Sequence, residues 1–132
     1  MFEAPIQMLC DSSTQYRTAP ECTAFITSVP TVWDGTVGVA GEIGKFAAVA
    51  RRTGGEWWLG AISNWEARDV ELPTDFLGGG EWTAEVFEDA SDADVNAEHH
   101  VRRTMRIKAG EPLKVHLARG GGFAARFKKS GK

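Results

Sequence analysis

The sequence has few cysteines, no excess of positive charge and no long apolar run. Two cysteines in 132 residues, Cys10 and Cys22, cannot build a disulfide scaffold, and neither lies in a CxxC pair. They read as two buried free thiols, with a single bridge as the alternative. Acidic residues outnumber basic ones, 18 to 15, for a net charge of −3. Phosphate binding needs a basic surface, so nucleic acid is excluded as the main partner. The basic end, Arg126, Lys128, Lys129 and Lys132, reads as a short solvated tail. No stretch is long and apolar enough to cross a bilayer, so no membrane partner is expected. Met1 to Cys10 is apolar but is interrupted by Glu3, Pro5 and Gln7. Without a basic start or a small-residue cleavage site it does not read as a signal peptide, which by itself says little about compartment. No internal repeat and no low-complexity linker is found.

What remains is ordinary globular material. Hydrophobic residues make up 42% and charged residues 25%, enough for one domain with a modest core. Residues 20–29 predict a helix. Pro20 suits its first position, Glu21 suits the positive end of its dipole, and Pro30 stops it. Cys22, Phe25, Ile26 and Val29 recur at helical spacing, giving an apolar face that something must cover. A second short helix is expected around Ile6 to Cys10, broken by Asp11, Ser12 and Ser13.

From Thr36 onward the pattern is that of strands. Segment 45–52 is followed by Gly54 and Gly55, a two-residue hairpin signal, and by a return over 56–64 that is apolar on both faces. A strand buried on both faces belongs in the middle of a sheet. Segments 66–72, 81–88, 101–108, 113–118 and 122–128 alternate apolar and polar residues, each with one buried and one wet face. Trp82, Ala84 and Val86 share one such face; so do Leu113, Val115 and Leu117, and Phe123, Ala125 and Phe127. Thr74 to Leu77 reads as a single helical turn before three glycines. About seven strands joined by glycine-rich turns, with no long helix between them, predict an all-β antiparallel sandwich of Greek-key-like type with a short helical N-terminal extension.

Candidate chemistry is thin. Glycoside hydrolysis needs two carboxylates flanking one bond, one of them desolvated enough to hold a proton. The dense region is Glu85, Glu88, Asp89, Asp92, Asp94 and Glu98, most of which alternate outward or sit in a loop. Asp92, Asp94 and Asn96 imitate the start of a calcium loop. Ala97 then stands where the sharp-turn glycine belongs and Arg103 where the bidentate glutamate belongs, so a solvated turn is the better reading. His99 and His100 are adjacent, so on a strand they face opposite ways and cannot chelate one ion. His116 falls on a wet face. Gly120 to Gly122 lacks the Lys-Ser/Thr of a phosphate loop and reads as a tight hairpin. Five tryptophans are many for this length. Trp82 reads as core, and Trp57 and Trp58 point oppositely, one toward the core. Most aromatics are expected in core or interface; any left exposed could stack on sugars.

An ordered set of short runs carries a family resemblance. It comprises Pro30-Thr31-Val32-Trp33-Asp34, Gly41-Glu42-Ile43-Gly44-Lys45, Ala50-Arg51-Arg52 and Glu56-Trp57-Trp58-Leu59-Gly60. It continues with Asn64-Trp65, Asp75-Phe76-Leu77-Gly78, Ala93-Asp94-Val95-Asn96-Ala97 and Gly120-Gly121-Gly122-Phe123. In order and spacing these closely resemble the C-terminal domain of glycoside hydrolase family 97. Phe2 to Leu9 and Pro20-Glu21-Cys22 are similar to the last stretch of that family's (β/α)8 barrel. One departure is Asp89-Ala90-Ser91-Asp92, where the family pattern has Asp-Gly-x-Asn.

The resemblance divides the chain into a barrel-like extension over 1–30, a sandwich over 31–128 and a tail over 129–132. It implies an exo-acting α-glucosidase or α-galactosidase as parent, bacterial and calcium-dependent, periplasmic or secreted. The family's catalytic carboxylates and calcium ligands lie upstream of anything present, so no catalytic, cofactor or metal residue is carried over. The implied role is non-catalytic: packing on the catalytic barrel and oligomerisation, with a homo-oligomer through the N-terminal helix as one route. The candidate interface or sugar-contact residues are Trp33, Trp57, Trp58, Trp65, Phe25 and Ile26. The alternatives are a carbohydrate-binding module that uses exposed tryptophans and, if Met1 is a natural start, a free-standing interaction protein.

Overall fold

The computed structural model describes residues 12–93, 95–96 and 99–130. The helix expected around Ile6 to Cys10 lies outside them. Two short helices, α1 (Ser13–Thr18) and α2 (Pro20–Ser28), precede eight strands. These are β1 (Gly35–Glu42), β2 (Phe46–Thr53), β3 (Glu56–Ser63), β4 (Arg68–Leu72), β5 (Glu81–Asp89), β6 (His100–Lys108), β7 (Leu113–Leu117) and β8 (Gly122–Lys129). A single 3-10 turn, Asp75–Leu77, sits where the helical turn was expected.

Within the break expected at Asp11 to Ser13, Ser12 and Ser13 begin α1, and Asp11 lies outside the described residues. Ser12 is its N-cap, with Oγ accepting the Gln15 N–H at 3.4 Å. Ser12 and Gln15 have the spacing of a capping box, the sequence signal that marks this helix. In α2, Pro20 occupies the first turn and the helix ends before Pro30, as its composition dictates.

Every strand pairing is antiparallel. One sheet has six strands in the order β1-β2-β3-β8-β5-β6; the other has two, β4-β7. The layers are therefore unequal, and the fold is an open all-β sandwich. β3, apolar on both faces, lies inside the large sheet between β2 and β8. Thr53 pairs with Glu56, so Gly54 and Gly55 form the two-residue loop. Only Gly54 has positive φ, 55°, which suits a type II′ turn.

Alternation places the core. Leu59, Ala61, Trp82, Ala84, Val86, Phe123, Ala125 and Phe127 line the inner face of the large sheet, and Leu72, Leu113, Val115 and Leu117 face them from the small one. On β6 alternation holds, but burial does not extend along the strand. Ile107 is buried, Met105 is half-buried and Val101 is exposed, because β6 is the sheet edge.

Two expectations change. The glycines at 120–122 do not close a hairpin, because β7 pairs with β4 whereas β8 pairs with β3 and β5. The turn carries the chain from one layer to the other. The same faces of β7 and β8 are buried either way, since they meet across the core rather than side by side. The basic end is not a free tail: β8 continues through Lys129, and the Ser130 N–H donates to the Glu81 carbonyl at 3.0 Å.

Candidate functional site

The outer face of the large sheet holds only part of the candidate set: Trp58, with Phe25 and Trp33 packed against it. Along β3, Trp57 and Trp58 point to opposite sides, as residue alternation requires. Trp57 turns inward and meets Phe76 edge-on, centroids 5.1 Å apart. Trp58 turns outward, yet it is buried. Helix α2 covers it: Phe25 lies 5.4 Å from the Trp58 ring and 4.6 Å from Phe87 of β5. Trp33 meets Trp58 edge-on at 6.4 Å. The apolar helix face therefore rests partly on its own sandwich. Cys22 and Phe25 are half-buried there, but Ile26 and Val29 remain exposed.

Cations close the aromatic cluster. The Arg126 guanidinium sits 4.9 Å above Trp58 and forms a two-point pair with Glu56, Nε to Oε2 at 2.9 Å and Nη2 to Oε1 at 3.1 Å. Arg51 lies 5.8 Å from the Trp33 centroid. Between helix and sheet is a hollow lined by Phe25, Val29, Trp33, Val49, Trp58 and Ala124. Its walls are apolar apart from Arg51, and they suit packing rather than proton transfer.

The other end of α2 is tied to the sheet edge by polar contacts. Arg102 bridges Glu85 at 2.8 Å and Glu21 at 3.4 Å. The hydrogen bond to Glu85 raises the guanidinium above its ordinary pKa. Cys22 is a free thiol with Sγ 3.1 Å from His100 Nε2. Burial, then the neighbouring Glu21 charge, pushes its pKa up, so it is a poorer nucleophile than an ordinary thiol. Cys10 lies outside the described residues.

The dense acidic region is dispersed among separate partners. Glu85 accepts from Arg102, Glu88 from Arg103, and Asp92 from His99 at 2.7 Å. Asp89 Oδ2 accepts the backbone N–H groups of Ala118 and Gly122, each at 2.9 Å. Asp94 and Glu98 lie outside the described residues. Asp92, which opened the calcium-like motif, is engaged by His99, whose bond holds its carboxyl below the usual carboxylate range. Among the described residues, no group of three or more His, Cys, Asp or Glu is arranged so that it could hold a metal ion. His116 is on a wet face and pairs with Asp69 at 2.8 Å.

The tryptophans divide by environment. Trp82 and Trp58 are buried, and Trp57 and Trp33 are half-buried in the contacts above. Trp65, after β3, is 79% exposed. Thr74 was not singled out by sequence reasoning beyond its helical turn. It is fully buried, donates to the Glu111 carbonyl at 2.7 Å and accepts the Gly110 N–H at 3.1 Å. A threonine beside a turn carries no signal of such distant partners.

Comparison with known proteins adds the family. A retaining alpha-galactosidase of Bacteroides thetaiotaomicron is 42% identical over 128 residues, 97% of this chain but 19% of that protein. A probable retaining alpha-galactosidase of Streptomyces bingchenggensis is 32% identical over 125 residues, 95% of this chain and 19% of that protein. Among solved structures, a glycoside hydrolase family 97 enzyme from Pseudoalteromonas sp. strain K8 superposes with TM-score 0.82 at 32% identity, over 87% of this chain and 19% of that one. A beta-arabinopyranosidase shares the fold, TM-score 0.76 at 24% identity, over 92% of this chain and 19% of that one. The chain thus spans about a fifth of the length of these relatives. The sequence model described as "Glycosyl-hydrolase 97 C-terminal, oligomerisation" matches residues 32–128, and the chain belongs to this family.

Proposed function

We propose that this chain is the non-catalytic accessory domain of a family 97 α-glycosidase, packing on the parent's catalytic barrel and supporting its oligomerisation. The observation that carries this reading is the fate of the acidic residues. Glu85, Glu88, Asp89 and Asp92 each answer to a different cation or backbone donor, and Glu88, which shares a hollow with Asp69 and Glu71, is held there by Arg103, so no desolvated acid is left among them to hold a proton. The parent acts on α-galactosides, in keeping with the names of the relatives, or on α-glucosides, the other substrate class that the family resemblance implies. On this reading calcium and the catalytic carboxylates belong to the barrel and an N-terminal β domain of the parent, which works in the periplasm or outside the cell. The exposed Ile26 and Val29, beside the half-buried Phe25, are the part of α2 offered to the barrel or to a second copy.

Assaying the 132-residue chain on aryl α-galactosides and α-glucosides tests the reading. The expected result is hydrolysis no faster than buffer. Turnover that disappears in Glu88→Gln or Asp92→Asn would overturn it. Light scattering of the chain and of Ile26→Ser tests the helix as an association surface: association should weaken in the variant.

A further inference from the structure

Packing accounts for four tryptophans; Trp65 stands apart. It lies between β3 and β4 and is 79% exposed. Leaving so large a ring in water forgoes a substantial hydrophobic gain, and a slack loop could tuck it away. This loop is held. The Gly120 N–H donates to the Asn64 carbonyl at 2.7 Å, and Arg119 Nε donates to the Trp65 carbonyl at 3.2 Å. The Asn64 side chain donates to the Gly44 carbonyl at 2.9 Å and accepts from Arg68 at 2.6 Å and from the Glu66 N–H at 3.0 Å. The indole rests on Gly120, where a Cβ would stand 3.3 Å from Cζ3 and 3.5 Å from Cε3. Glycine at 120, with φ of +64°, thus serves both the turn and the seat of the ring.

We infer that Trp65 is a stacking platform for a neutral hexopyranoside, the kind of sugar unit found in α-galactosides and α-glucosides. A pyranose ring presents a face of C–H groups that packs on an aromatic π-face, while its hydroxyls project sideways and need polar partners. The exposed side chains of Glu66, next in the chain, and of Arg119, whose Nε donates to the Trp65 carbonyl, bring an acceptor and further donors close to the ring, although Glu66 also accepts from Arg68 at 3.4 Å. The fixed loop means that little conformational freedom is lost when the sugar lands.

The test titrates the chain with raffinose and with maltotriose, following heat and tryptophan fluorescence, with acyclic mannitol as control. Saturable binding of at least one saccharide is expected, in the millimolar range that suits a single stacking site. Trp65→Ala should weaken it at least about tenfold, and Trp65→Phe less than that, since a smaller π-face remains. Both variants should unfold at nearly the wild-type temperature, because the ring is not in the core. No saturable response to either saccharide would overturn the proposal. So would binding unchanged in Trp65→Ala, or an equal response to mannitol.

Discussion

The carboxylate of Asp89 occupies the space beside Gly121 that any side chain at that position would need. Asp89 ends β5, and its Oδ2 gathers the N–H groups of Ala118 and Gly122 from the turn that joins the two layers. One carboxylate therefore fixes the point where the chain leaves the small sheet and enters the large one. Gly121→Ala must push Asp89 off both donors or displace Ala118, whose Cβ would lie 3.1 Å from the new methyl. We expect a loss of about 1–3 kcal/mol, read by urea unfolding. In an Asp89→Ala background the same glycine substitution should cost clearly less, and a double-mutant cycle showing strict additivity would refute the coupling.

Thr74 is a second hidden tie. Thr74→Val keeps the shape but strands the Gly110 N–H and the Glu111 carbonyl in the place of their former hydroxyl partner. The expected cost is about 1 kcal/mol, the lower end for a lost hydrogen-bond partner, because Gly110 and Glu111 are themselves exposed to water. Thr74→Ser should recover most of it. Thermal unfolding of the two variants side by side is the check.

The two apolar positions of α2 should behave differently. Phe25→Ala removes the ring that covers Trp58 and Phe87, and since Phe25 is only half-buried we expect about 2 kcal/mol, below the full-core range. Ile26→Ala, at a 45% exposed site, should change the stability of the isolated chain by no more than about 0.5 kcal/mol. Equal losses at both positions would contradict the packing described.

Asp92 and His99 make a pH-dependent contact. The hydrogen bond from His99 depresses the folded-state pKa of Asp92 below its unfolded value. The bond's stabilising effect is thus present above the ordinary aspartate range and lost as pH falls through the lowered folded value. Both side chains are exposed, so the effect on global stability is small and weakened by salt. An NMR titration of Asp92 should give a midpoint below that of an ordinary aspartate, returning toward it in His99→Ala.

Arg126 reaches Glu56 with two nitrogens while covering Trp58. Arg126→Lys keeps the charge and loses the planar fork, so a loss of about 1 kcal/mol is expected in chemical denaturation.

Much of the fold was legible because its rules are local. Trp82, Ala84 and Val86 are buried together because residues two apart share a strand face, and that spacing stands in the sequence. Pro20 and Pro30 bracket α2 through the chemistry of their own rings. The spacing of Ser12 and Gln15 was an equally local signal, but it went unread, because Asp11, Ser12 and Ser13 look by composition like a break rather than the start of a helix. The ordered runs from Pro30 to Phe123 carried the family.

Sequence alone thus determined seven of the eight strands, the dry face of most of them, and the likeness to a family 97 C-terminal domain; β1 was covered only by the general strand pattern from Thr36 onward, and Val101 of β6 was expected dry but is exposed. Only the tertiary structure decided that β7 and β8 lie in different layers, that Trp58 is sheltered by Phe25, and that Trp65 is left in water. The physical reason is range. Alternation says which side of a strand is dry, but not which distant segment dries it. That depends on contacts such as Asp89 with Gly122 and Thr74 with Glu111, which join residues far apart in the chain and exist only once both layers have closed.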